Sequence, residues 1–164
     1  MSMETVVRQI YAQWIAAKEQ ARMECESRGL HNVAERYRRC DLFKGTERTV
    51  GELADVLTSP QGLEFCMRYH FPNMATFRLF KGREAEKYGV YIDAGAITLK
   101  NPEKAVLIGH TSATIYCDTL EKHVITLLHG AKAVVNASGW TVVRVQAEQG
   151  CSCIKSISGN AVII

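Results

Sequence analysis

The feature that most constrains this chain is the spacing of its glycines after residue 88. Gly89, Gly109, Gly130 and Gly150 lie 20, 21 and 20 residues apart, and Gly139 and Gly159 are again 20 apart. Between them run short stretches rich in Val, Ile and Thr: Val90-Tyr-Ile92, Ile97-Thr-Leu99, Ala105-Val-Leu-Ile108, Ala113-Thr-Ile-Tyr116, Val124-Ile-Thr-Leu127, Ala133-Val-Val135, Thr141-Val-Val-Arg-Val145, Cys153-Ile154 and Ala161-Val-Ile-Ile164. These are strand compositions separated by Gly, Asn, Asp and Ser turn signals. No gap between them is long enough for a crossover helix, which argues against a doubly wound sheet. A unit of two short strands buries its apolar side only against a neighbouring unit, so the repeat predicts a short β-solenoid of parallel-stacked coils. An antiparallel meander or barrel with hairpins of similar length is the alternative.

Before residue 88 the period is helical. Ser2 is placed to cap a first helix, and Glu4 sits in its first turn, where the dipole favours an acid. Val6, Val7, Ile10, Tyr11, Trp14 and Ile15 recur at three- and four-residue spacing, and Gly29 suits the left-handed position after the helix end. Asn32-Val-Ala-Glu35 predicts a capped second helix carrying the basic stretch 32–48, and Thr49-Val-Gly-Glu52 a capping box opening a third. Ser59-Pro60 predicts a fourth, with proline at the first position, where its missing N–H costs nothing. Pro72 stops it, and Asn73 caps a short fifth element ending near Gly82. The expected fold is therefore α+β, with a helical segment over residues 1–88 packed on a β-repeat half over 89–164, as one structural unit or two.

With 47% hydrophobic and 23% charged residues, the chain has a globular balance that excludes disorder and a coiled-coil rod. It has no stretch of about 18 consecutive apolar residues to span a membrane. Its start lacks the basic and apolar regions of a signal peptide. The net charge of +3 divides as +2 over residues 1–50, zero over 51–88 and +1 over 89–164, so no segment carries a strong basic field. The six cysteines, Cys25, Cys40, Cys66, Cys117, Cys151 and Cys153, have irregular spacings, and reduced thiols in a cytoplasmic protein are expected. Cys151-x-Cys153 would put both side chains on one strand face, as packing rather than a redox or zinc pair.

No nucleophile motif or phosphate loop is present. The five histidines, His31, His70, His110, His123 and His129, read as solvated, with His110 and His129 at repeat junctions, neighbours if Gly109 and Gly130 align. Cys66 and His70 are four apart on one helix, but two ligands do not make a zinc site. No catalytic residue, metal site or cofactor is assigned. Nucleic acid has one shape behind it: Thr49 to Leu57, a turn, then Gln61 to His70 is the punctuation of a helix-turn-helix. The candidate contacts are Arg36, Arg38, Arg39, Lys44 and Arg68, but Glu64 near the start of the second helix works against phosphate, so a DNA-associated role is the alternative reading.

The tracts Gly62-Leu-Glu-Phe-Cys-Met-Arg-Tyr-His-Phe-Pro72, Phe77-Arg-Leu-Phe-Lys81, Gly89-Val-Tyr-Ile-Asp93 and His129-Gly-Ala-Lys-Ala133 resemble a group of small Bacteroidales proteins. Some of these are associated with conjugative transposons, and the group has no assigned activity. The resemblance covers most of the chain from about residue 49 and implies a bacterial cytosolic origin and no catalytic residue. The leading expectation is a non-enzymatic interaction or scaffold protein with an unidentified protein partner. Val162, Ile163 and Ile164 form an apolar last strand with no polar cap after it, which predicts a homodimer through residues 150–164.

Overall fold

The computed structural model describes residues 1–164 and divides into two compact units, Met1–Leu79 and Phe80–Ile164. The first is helical: α1 Met3–Ser27, α2 His31–Arg39, α3 Val50–Leu57, α4 Pro60–Tyr69 and α5 Met74–Arg78. Local chemistry sets most of these ends. The Ser2 side chain accepts from the Thr5 amide, and Gly29 follows the α1 C-cap at φ 73°. Thr49 and Glu52 form the reciprocal capping box of α3, and Ser59 and Pro60 open α4. The core of this unit is aromatic. Trp14 lies 5.7 Å from Phe43, which meets Phe71 edge-on at 5.4 Å, and the Lys18 ammonium sits 4.5 Å over the Trp14 ring.

Three sequence expectations fail in this unit. Asn32 does not cap α2: the helix starts at His31, after the Leu30 amide turns back onto the Cys25 carbonyl, and the N-cap Leu30 is a hydrocarbon side chain with no acceptor to offer. The basic helix stops at Arg39 rather than 48, so Lys44 and Arg48 lie on the connection to α3. α5 ends at Arg78, short of Gly82.

The second unit begins with one 3-10 turn, Ala85–Tyr88, and no helix follows it. Its nine strands are β1 Val90–Ile92, β2 Gly95–Lys100, β3 Lys104–Ile108, β4 Thr111–Cys117, β5 Lys122–Leu128, β6 Lys132–Ala137, β7 Val142–Ala147, β8 Ser152–Ile157 and β9 Val162–Ile163. They alternate between a five-stranded sheet, β1-β3-β5-β7-β9, and a four-stranded sheet, β2-β4-β6-β8, parallel throughout. Each coil contributes one strand to each sheet, so the β-solenoid holds and the antiparallel meander does not.

The register gives the true period. Thr111, Ala131 and Cys151 follow one another at 20 residues, as do Val142 and Val162, while Gly95 pairs with Thr111 only 16 residues on. The 21-residue step from Gly109 to Gly130 is therefore one out of register. Ile108 pairs with Leu128, so the corner residues Gly109 (φ 66°) and His129 (φ 52°) correspond, and His110 stands beside Gly130. Stacked side chains fill the coil interior: Ala113, Ala133 and Cys153 in one column, Ile115 and Val135 in another, and Leu107 with Leu127 from the facing sheet. The corners are stitched as well. Asn101 and Asp118 exchange bonds of 2.7 and 2.8 Å between adjacent coils, and Gly159 stacks on Gly139, where an added Cβ would meet its amide nitrogen at 3.1 Å.

Candidate functional site

The predicted basic set falls on α2, α4 and the 40–49 connection, and the structure pairs much of it. Arg38 and Arg39 both reach Glu35, at 3.2 and 2.9 Å, and Arg68 reaches Glu24 at 3.1 Å. Arg36 and Lys44 are exposed. The α3–turn–α4 geometry is real, but Gly62 is buried against it. A Cβ there would lie 2.2 Å from the Val56 carbonyl, so the start of α4 presents Pro60, Gln61 and Glu64 outward.

Around Arg68 lies a cluster that sequence reasoning missed. Tyr37, Gln61, Glu64, Phe65, Arg68 and Tyr69 line a shallow cleft between α2 and α4. Tyr37 meets Phe65 edge-on at 5.9 Å, and Tyr69 lies 5.9 Å from Phe65. The Tyr69 hydroxyl donates to Glu24 at 3.1 Å. Burial first, and that bond second, push the Tyr69 phenol up to about 12. Burial by itself would raise Glu24, yet the bonds from Tyr69 and Arg68 hold it below the ordinary carboxylate range. Tyr37 is raised by burial and by the nearby Glu64 charge. At neutral pH the two phenols stay protonated and the Glu24 carboxyl stays ionised, and together they make a half-buried aromatic contact surface. The signal was present in the i, i+4 pair Phe65 and Tyr69, but its partner Glu24 is 45 residues away.

The chain matches no protein-family model, no curated protein and no solved structure.

The thiols and imidazoles scatter. None of the six cysteines is in a disulfide. Cys66 is buried on α4, whereas His70 is the left-handed residue after the helix (φ 51°), so the pair is not on one helical face. Cys151 precedes β8 in a corner and Cys153 lies on the strand, and both pack partly on the coil core. Burial pushes the Cys117 thiol up to about 11. His123 is the exception to solvated histidines: it is fully buried on β5, bonded through Nδ1 to the Pro102 carbonyl at 2.7 Å and through Nε2 to the Thr119 hydroxyl at 3.1 Å. The Nδ1 bond ties this corner to that of the preceding coil, and the Nε2 bond braces the corner itself.

The self-association residues lie on the last coil. Val162 and Ile164 are 46% and 61% exposed, Ile163 is half-buried, and on the neighbouring strand Ile154 and Ile157 are 67% and 53% exposed. Leu120 and Trp140, both exposed, stand at corresponding positions of consecutive corners, because Cys117 pairs with Ala137 and Lys122 with Val142.

Proposed function

We propose that the protein is a non-enzymatic interaction or scaffold protein of a bacterial cytosol, joined as a two-fold dimer through its last coil. The observation that carries the reading is the group of exposed apolar side chains there, Ile154, Ile157, Val162 and Ile164. Apolar surface gathered on the outermost strands of a stack is what a partner covers. Lys155 continues the inward column of Leu99, Ile115 and Val135, and a coil laid flat on β8 would bury its charge. The contact therefore runs along β9, with Val162, Ile163 and Ile164 at its centre. The resemblance to Bacteroidales conjugative-transposon proteins and the lack of any disulfide among the six cysteines support the cytosolic setting. No helix is long and apolar enough to cross a membrane. Light scattering on the intact chain gives a dimer, and on an Ile163→Lys/Ile164→Lys variant a monomer. A monomeric intact chain, or a dimer that ignores both lysines, removes the reading.

Association with DNA through α3–α4 is the second reading, favoured by the helix–turn–helix those elements form. The carboxylates on Arg38, Arg39 and Arg68 weigh against it. Polarisation with random duplex DNA across salt separates the two: phosphate-driven binding falls steeply with salt, and the interaction reading expects no such slope.

A further inference from the structure

The solenoid has four edge strands, β1, β9, β2 and β8, and three of them are blunted. Val90 and Ile92 of β1 are buried, β9 has two residues, too few for a strand ladder although its side chains are open to contact, and β8 holds Lys155 in an inward column. Inward charges, short length, cover and edge lysines are devices by which natural edges avoid further pairing. Of these β2 has only the lysine at its end, Lys100. It runs six residues, Gly95–Lys100, and its inward residues are Ile97 and Leu99. Both are only half-buried, although the residues they stack on, Ala113 and Ile115, are fully enclosed.

The hydrogen-bond phase of β2 is fixed by its neighbour. The Gly95 amide donates to the His110 carbonyl and the Asn101 amide to the Tyr116 carbonyl, so odd-numbered residues face β4. The N–H and C=O groups of Ala96, Thr98 and Lys100 point the other way, where no strand lies, and all three residues are exposed. The edge thus offers three donor–acceptor pairs at two-residue spacing beside an unfinished apolar column. Its charge has one sign. The strands of this sheet carry Lys100, Lys132 and Lys155 and not one Asp or Glu.

We propose that β2 is a strand-acceptor edge for an extended, acidic segment of a partner protein whose alternate residues are apolar. Main-chain bonds to Ala96, Thr98 and Lys100 would hold the segment, its apolar residues would complete the columns of Ile97 and Leu99, and a carboxylate of the segment would meet Lys100, the lysine on the edge strand itself. The inference rests on the interaction reading and names a surface and a partner chemistry for it, at a different place from the β9 contact.

The probe is a fluorescein-labelled nine-residue peptide alternating valine with glutamate, followed by polarisation with the full chain. Two control peptides replace glutamate with lysine or carry a central proline. Binding of the acidic peptide is expected, with at least a tenfold loss for either control. Thr98→Pro removes one outward N–H and leaves the β4 ladder intact, so it should cost at least tenfold as well. Lys155→Glu should change affinity less than twofold. Equal binding of the proline-interrupted peptide overturns the proposal whether or not Thr98→Pro folds, and so does absence of binding by the acidic peptide. Loss of self-association in Thr98→Pro also overturns it, since a second copy would then be the occupant. The Ile163→Lys/Ile164→Lys variant should bind the peptide as the parent does. A monomeric parent that still binds removes the dimer and leaves this edge standing, and a dimer that does not bind does the reverse.

Discussion

Tyr69 illustrates how a single side chain joins two helices. Its ring packs on Phe65 of the same helix, and its hydroxyl reaches Glu24 on α1 beside the Arg68 guanidinium. The ordinary tyrosine value is 10.0, and the folded value is pushed up to about 12. A raised folded value means that the associated stability is present in full below pH 10 and is lost as pH climbs through about 12. Stability measured by urea between pH 9 and 12 should therefore fall in the parent and fall less in Tyr69→Phe. Parallel curves for the two proteins would show that folding does not raise the Tyr69 phenol. Cys117 makes a second residue-scale test. Its buried thiol, at about 11, should resist iodoacetamide in the native state, while half-buried Cys25 and Cys40 react first. In denaturant without reductant all six should titrate.

Among the elements, the sharpest test is Gly62. Ala normally favours a helix interior over Gly by about 1 kcal/mol. Here the added Cβ would lie 2.2 Å from the Val56 carbonyl and 2.7 Å from that of Leu57, so the backbone of α3 would have to move. Gly62→Ala should destabilise by on the order of 2 kcal/mol in urea melts. A stabilised variant would mean that α3 and α4 do not approach so closely. In the β half the contrast is between columns. Ile115→Ala empties the coil interior and should cost roughly 2–5 kcal/mol, whereas Ile154→Ala on the outer face should stay within about 0.5 kcal/mol. Equal costs would contradict the stacking register.

At the scale of the whole molecule, the β-solenoid was legible because each strand run carries its own β-branched residues and its own turn. The caps Ser2, Thr49, Ser59 and Asn73 were legible for the same reason, since each acts on an amide two or three residues away. What escaped was long-range. The burial of His123 escaped because its partner Pro102 lies on the preceding corner, which it meets only when the coils stack. The Gly109–Gly130 alignment misled because His129 adopts the left-handed corner conformation that glycine fills one coil earlier. The Glu24–Arg68–Tyr69 cluster needed α1 and α4 brought together across more than 40 residues of chain. The open edge of β2 was invisible until the strand order and bonding phase were known.

That edge also offers the most direct test of the account, which holds that residues 89–164 form parallel stacked coils whose first long strand is unpaired on one side. Residue-resolved amide hydrogen exchange by NMR reads both parts at once. The amides of Ile97 and Leu99 should be protected by β4, those of Ala96, Thr98 and Lys100 should exchange like exposed coil, and Ile115 and Leu127 in the enclosed coils should be the slowest. Uniform protection along β2 would show the edge to be covered, and uniform fast exchange would show that the strand does not join the stack.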